Sequence, residues 1–197
     1  MQVKDKFLEK INLIIIFFIL SCPFNLYAED IYEQIFNYND ALKNSSANFI
    51  QTNSDYLQEG KIFFGNKRIK INYTKPKELT LILSENKGMY INHELKETHF
   101  FMTKKSYIKY FFEIFHKKNQ IKNMTIKQLS QQIELSERIV LDNMFYDIKL
   151  NYESAPIKIR RLEIVSDDEQ IQMGFFGHNT EGIFDKNFFS MIDPYLN

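Results

Sequence analysis

Apolar and polar positions alternate with a period of two along most of this chain. Ile69, Ile71 and Tyr73 alternate with Lys70, Asn72 and Thr74; Leu79, Leu81 and Leu83 repeat the pattern, broken only at Ile82. That period marks strands with one buried and one wet face. Residues 47–52 and 56–64 read as two earlier strands, and Gly60 inside the second marks a bulge or a close backbone approach. Strands resume over 131–141, 146–153, 158–165 and 170–177. The breaks are turn chemistry: Lys75-Pro76-Lys77, Glu85-Asn86-Lys87-Gly88, Ser154-Ala155-Pro156 and Ser166-Asp167-Asp168-Glu169. The expectation is nine to eleven strands in a curved antiparallel meander with one greasy face. No βαβ rhythm argues for a parallel sheet.

Two stretches change period. Over 29–42, Ile31, Ile35, Tyr38 and Leu42 recur every three or four residues behind Asp30 as N-cap, predicting an amphipathic helix. Over 103–118, Ser106 precedes Tyr107, Ile108, Tyr110, Phe111, Phe112, Ile114 and Phe115, with only Lys109 and Glu113 as interior charges. A helix apolar almost all round must lie in a groove or plug one. Residues 116–129 are polar and lysine-rich, predicting a loop with a short helical turn, and the apolar 187–194 stretch is expected to tuck against the sheet.

The length of 197 residues fits one domain, and a formal net charge of zero gives no basic field to attract nucleic acid. The N-terminus alters the picture more. Lys4, Lys6 and Lys10 precede an apolar run from Ile11 to Leu20, interrupted only by Asn12, and Ala28 offers a small residue for cleavage. This predicts a signal peptide over 1–28, cut after Ala28, with 29–197 as a single exported domain. The run falls short of the roughly 20 residues of a spanning helix. Cys22 is the one complication: Leu20-Ser21-Cys22 is close to a lipobox, and acylation there would anchor the protein instead. Cleavage after Ala28 leaves a chain without cysteine.

Candidate chemistry is thin. His93 and His99 flank Glu94 and Glu97, but a metalloprotease helix needs histidines four apart, and these are six apart in a hairpin setting. No Gly-x-Ser-x-Gly elbow and no glycine-rich phosphate loop occur. The residues point to a binding protein, not an enzyme, with no cofactor and no metal.

The order of several short motifs resembles the LolA family of periplasmic outer-membrane lipoprotein carriers. Ala47-Asn48-Phe49-Ile50-Gln51-Thr52 is similar to the family's opening strand. Gly60 to Phe64 followed by Ile69-Lys70-Ile71-Asn72-Tyr73-Thr74-Lys75-Pro76 resembles its next two. Leu81-Ile82-Leu83-Ser84, then Met89 to Thr98, and the closing Phe188-Phe189-Ser190-Met191-Ile192-Asp193-Pro194 continue the likeness over the rest of the chain. Gly65-Asn66-Lys67-Arg68 departs from it, standing where well-known members carry an Arg-Pro turn whose arginine latches the lid.

The resemblance implies a mainly β, α+β fold: a curved antiparallel sheet forming an incomplete barrel, covered by a lid of two or three helices. It implies a monomeric periplasmic chaperone that takes acylated lipoproteins from an inner-membrane ABC-type exporter and carries them to the outer membrane, where a receptor can accept them. Phe49, Ile62, Phe64, Ile71, Tyr73, Leu81, Leu83 and Tyr90 are the expected concave wall for acyl chains. Ile108, Phe111, Phe112 and Phe115 are the expected lid, and Lys67, Arg68 and Lys70 the expected partner-docking residues. The alternatives are an outer-membrane receptor of the same fold acylated on Cys22, or a half-barrel that senses lipids or lipoproteins.

Overall fold

The computed structural model describes residues 30–53, 56–104 and 106–196. The expected signal peptide and Cys22 lie outside them. The elements run α1 (Ile31–Ala41), β1 (Ser45–Asn53), β2 (Tyr56–Gly65), β3 (Arg68–Lys75), β4 (Leu79–Leu83), β5 (Lys87–Asn92), β6 (Glu97–Met102). They continue with α2 (Tyr107–His116), α3 (Lys118–Asn123), β7 (Thr125–Gln128), β8 (Gln132–Leu141), β9 (Met144–Ser154), β10 (Ile157–Val165) and β11 (Gln170–Asn179). All eleven strands form one antiparallel sheet in the order β6-β5-β4-β3-β2-β1-β11-β10-β9-β8-β7. Two meanders meet where β1 pairs with β11, and β6 and β7 end the sheet as free edges, so the barrel stays open.

The turns do what their residues require. The hairpins at Pro76 and Pro156 contain cis Lys75-Pro76 and Ala155-Pro156 bonds. Asp142 and Asn143, both at positive φ, close the β8–β9 hairpin with the left-handed pair that matches strand twist. Gly60 sits at a register shift between β2 and β3. A Cβ there would lie 2.2 Å from the Asn72 carbonyl oxygen and 2.7 Å from the Phe49 ring, so only glycine allows both to approach.

The register puts Phe49, Ile62, Phe64, Ile69, Ile71, Leu83, Leu135, Ile148, Leu150, Tyr152, Leu162, Met173 and Phe175 on the inner face, all buried. One continuous core joins them to Ile35 and Leu42 of α1, to Phe111, Phe112, Ile114 and Phe115 of α2, and to Ile121 of α3. The apolar α2 therefore lies inside the concavity, in the groove that its composition demanded. The outer face carries a second, small cluster of Ile82, Met89 and Ile91, with Met191 packed on it. Phe184 and Phe188 pack on Phe63 of the same face, and Asp193 accepts a bond from Thr98 Oγ1 at 2.9 Å. The closing segment is thus a strap over the outside of the first meander.

One strand has no signal in the sequence pattern. Residues 125–128 form β7 beside β8, although Ile126 is their single apolar residue. With so few positions no period can be read, and pairing with β8 decides the structure.

A candidate acyl-chain cavity under the lid helix

An apolar cavity of about 120 Å³ lies between the sheet and the first half of α2. Its walls come from three directions. Ile71, Tyr73, Leu81 and Leu83 supply one side from β3 and β4. Leu162, Ile164, Ile171 and Met173 supply the other from β10 and β11, and Tyr107, Ile108 and Phe111 form the cover. Gln51 of β1 lies between the two sides. The pleat explains the arrangement: every wall residue on a strand occupies an inward position, and the pairing of β1 with β11 joins the two meanders into one curved sheet.

The expected site residues divide. Ile71, Tyr73, Leu81, Leu83, Ile108 and Phe111 line the cavity. Phe49, Ile62 and Phe64 are core instead: Phe49 is packed edge-on to Tyr73 with centroids 5.2 Å apart, and Phe64 lies 5.0 Å from Phe115. These side chains point inward as expected, but they are buried in the same core as α1 and the second half of α2, with Phe115 against Phe64. Tyr90 faces inward near the β6 edge, half-buried and 6.4 Å from the His99 ring, away from the cavity. Phe112 stacks on His116 at 4.2 Å and looks into a separate groove with Lys67, Arg68, Lys87 and Lys117.

Of the expected docking residues, Lys67 is exposed. Arg68 reaches the Met191 sulfur, and Lys70 is covered by the strap: its ammonium donates to the Phe188 carbonyl at 3.2 Å and lies 4.2 Å from that ring. Burial depresses the Lys70 pKa. Lys70 alternates with the inward Ile69 and Ile71, so it belongs to the outer face that the strap occupies.

Sequence reasoning missed the β10–β11 wall, Tyr107 as cover and Gln51. The first had a legible signal, since Leu162 and Ile164 alternate with Arg161 and Glu163. What was missing was the β1–β11 pairing, a contact between the ends of the chain that no local pattern reveals.

How α2 is held decides whether it can act as a lid. Its first turn rests on Tyr146 through Tyr107, with ring centroids 5.8 Å apart. Its last turn is tied at several points. Asn39 of α1, almost fully buried, donates to the Ile114 carbonyl at 3.1 Å, satisfying one of the last carbonyls that a helix leaves without an internal partner. Lys117 bridges the buried Glu113 and the Glu85 carboxylate of the β4–β5 turn, both at 2.7 Å. His116 hydrogen-bonds the Phe112 carbonyl through Nδ1, and burial holds its pKa below the ordinary histidine range. Beside the cavity, then, Tyr107, Ile108 and Phe111 meet apolar surroundings, whereas the far end carries the ties from Asn39 and Lys117.

Fold and cavity together define an open antiparallel half-barrel with an apolar chamber under a helical cover. No protein-family model matches the chain, and no curated protein matches it. Among solved structures, it is similar to an uncharacterized conserved protein from Thermus thermophilus, with a TM-score of 0.52 over 78% of this chain and 87% of that one. The identity is 6%, so the likeness speaks for the fold alone. LprF from Mycobacterium bovis aligns at a TM-score of 0.40, with 13% identity over 75% of this chain and 90% of that one. MucB in complex with MucA(peri) aligns at 0.41, with 7% identity over 75% of this chain and 54% of that one. Those two scores are too low to extend the fold assignment.

Proposed function

We propose that this protein is a carrier of acylated lipoproteins, exported to the periplasm. In this reading it collects its cargo from an inner-membrane ABC-type exporter and hands it on at the outer membrane. The observation that carries the reading is the apolar cavity between the sheet and α2. The motif order along the chain supports it, from Ala47-Asn48-Phe49-Ile50-Gln51 to the strap's Asp193-Pro194.

The magnitudes are consistent with a chamber that must open. Ligand pockets usually measure roughly 300–1,000 Å³, so a cavity of about 120 Å³ cannot take an acyl chain with α2 in place. Each buried methylene contributes about 0.8 kcal/mol, so a chain of ~10 methylenes supplies about 8 kcal/mol towards displacing the helix. Hand-over needs no chemistry, only a next site that binds the chains more tightly. The test is native mass spectrometry of the purified protein with a triacylated lipoprotein and with its unacylated form. A one-to-one complex with the acylated form only is expected; binding of neither by folded protein refutes the carrier reading.

A further inference from the structure

The cavity has one polar side chain without an aromatic ring, and its hydrogen-bonding capacity is not fully used. Gln51 is 7% exposed, pointing inward opposite Gln58 on β2 and Met173 on β11. Its Nε2 donates to Gln58 Oε1 at 3.0 Å, and its Oε1 accepts from the Tyr73 hydroxyl at 3.1 Å. Burial pushes the Tyr73 pKa up to about 12, so the hydroxyl keeps its hydrogen and donates it here. A carboxamide has two N–H donors and two acceptor lone pairs. One N–H of Gln51 is therefore left over, in a cavity otherwise walled by aliphatic, methionine and aromatic side chains.

We propose that this N–H, held in place by Tyr73 and Gln58, selects the uncharged carbonyl at the head of an acyl chain, an ester or amide, over a hydrocarbon or a free carboxylate. The inference rests on the reading that the cavity takes acyl chains, and it names which head group they carry. A hydrocarbon would bury the N–H without an acceptor, which is costly in an apolar site. A fatty-acid carboxylate would bring a full charge into a chamber whose lining includes no cation. An ester or amide carbonyl accepts the hydrogen and brings no charge. It also orients the ligand, with its carbonyl at β1, between the two walls, and its chain along the apolar side chains.

The experiment is displacement of a fluorescent apolar dye from the purified protein by a methyl ester, an alkane and a carboxylate of equal chain length, at a pH where the acid is ionised. The ester is expected to bind about tenfold more tightly than either of the others, the scale of one buried hydrogen bond left unmade. Gln51→Leu brings the ester-to-alkane ratio close to one, whereas Tyr73→Phe, which keeps the N–H but removes one of the two bonds that hold it, lowers the preference without abolishing it. If Gln51→Leu does not fold by circular dichroism, Gln51→Met, of similar length, replaces it. Equal binding of ester and alkane, tight binding of the carboxylate, or an unchanged ratio in the Gln51 variant overturns the inference and leaves the carrier reading standing. Failure of all three ligands to displace the dye overturns both.

Discussion

Asn39→Ala removes a buried side chain that hydrogen-bonds α1 to the end of α2. In the native protein the Asn39 amide donates to the Ile114 carbonyl at 3.1 Å and exchanges weaker contacts of 3.4 Å with the Tyr152 hydroxyl. Asn39, Ile114 and Tyr152 are all buried, so the variant leaves a helix carbonyl and a phenol facing apolar neighbours. Each buried polar group stripped of its partner costs about 1–3 kcal/mol. The Tyr152 contact is long and contributes the smaller share, giving an expected destabilisation of about 2–4 kcal/mol. Urea unfolding measures it, and native-state hydrogen exchange localises it: α2 amides should lose protection more than those of β9 and β10. Tyr152→Phe in the Asn39→Ala background removes the orphaned hydroxyl and should recover part of the loss, a coupling of about 0.5–3 kcal/mol for residues in one network. A change below about 0.5 kcal/mol for Asn39→Ala, the range of a surface substitution, would refute the assignment of Asn39 as the tie on the helix end.

Gly60→Ala forces a Cβ to within 2.2 Å of the Asn72 carbonyl, a backbone atom that cannot yield without breaking the β2–β3 pairing. A loss of about 3 kcal/mol in urea unfolding is expected, the upper end of ordinary overpacking. Leu81→Phe places a bulkier side chain on the cavity wall; it should weaken acyl-chain binding in dye displacement roughly tenfold while costing less than about 1–3 kcal/mol of stability, because the added bulk enters existing space. Burial depresses the pKa of both His116 and His178, so the unfolded chain binds their protons more readily. The stability they lend is complete above the ordinary histidine value of about 6.5 and is lost as pH falls below it. His116→Gln should flatten that acid limb in urea midpoints taken across the range, and an unchanged slope counts against a neutral, buried His116.

Alternation made the sheet legible because each strand keeps one face dry: Ile69, Ile71, Leu81 and Leu83 could be placed from local pattern alone. The same rule made α2 legible, since a helix with Phe111, Phe112, Ile114 and Phe115 round its circumference has no wet face to show. The depth of each inward residue was not legible. Phe49 and Phe64 share the inner face with Ile71 and Leu83, yet Phe49 is packed against Tyr73 and Phe64 against Phe115, whereas Ile71 and Leu83 line the cavity under the first half of α2. Phe64 shares a cross-strand row with Leu83, and Phe49 with Tyr73, so neither residue type nor position along the strand separates core from cavity there. Asn39 was invisible for another reason: a polar residue on the dry side of α1 breaks the apolar period, and its partners, the Ile114 carbonyl and the Tyr152 hydroxyl, lie 75 and 113 residues away. Lys70 escapes the pattern as a docking residue because alternation says that it faces outward but not that a strap from the far end of the chain covers it.

The central claim is that acyl chains enter the space between the inner face of the sheet and α2. The most direct measurement places a photoreactive amino acid at Ile108, inside that space, or at Phe100, exposed on the outer face. Each protein is irradiated with an acylated lipoprotein and with its unacylated form. The account predicts a crosslink from position 108 to the acylated form only, and none from position 100. A crosslink from position 100 with none from position 108, or equal yields with and without the acyl chains, would contradict it.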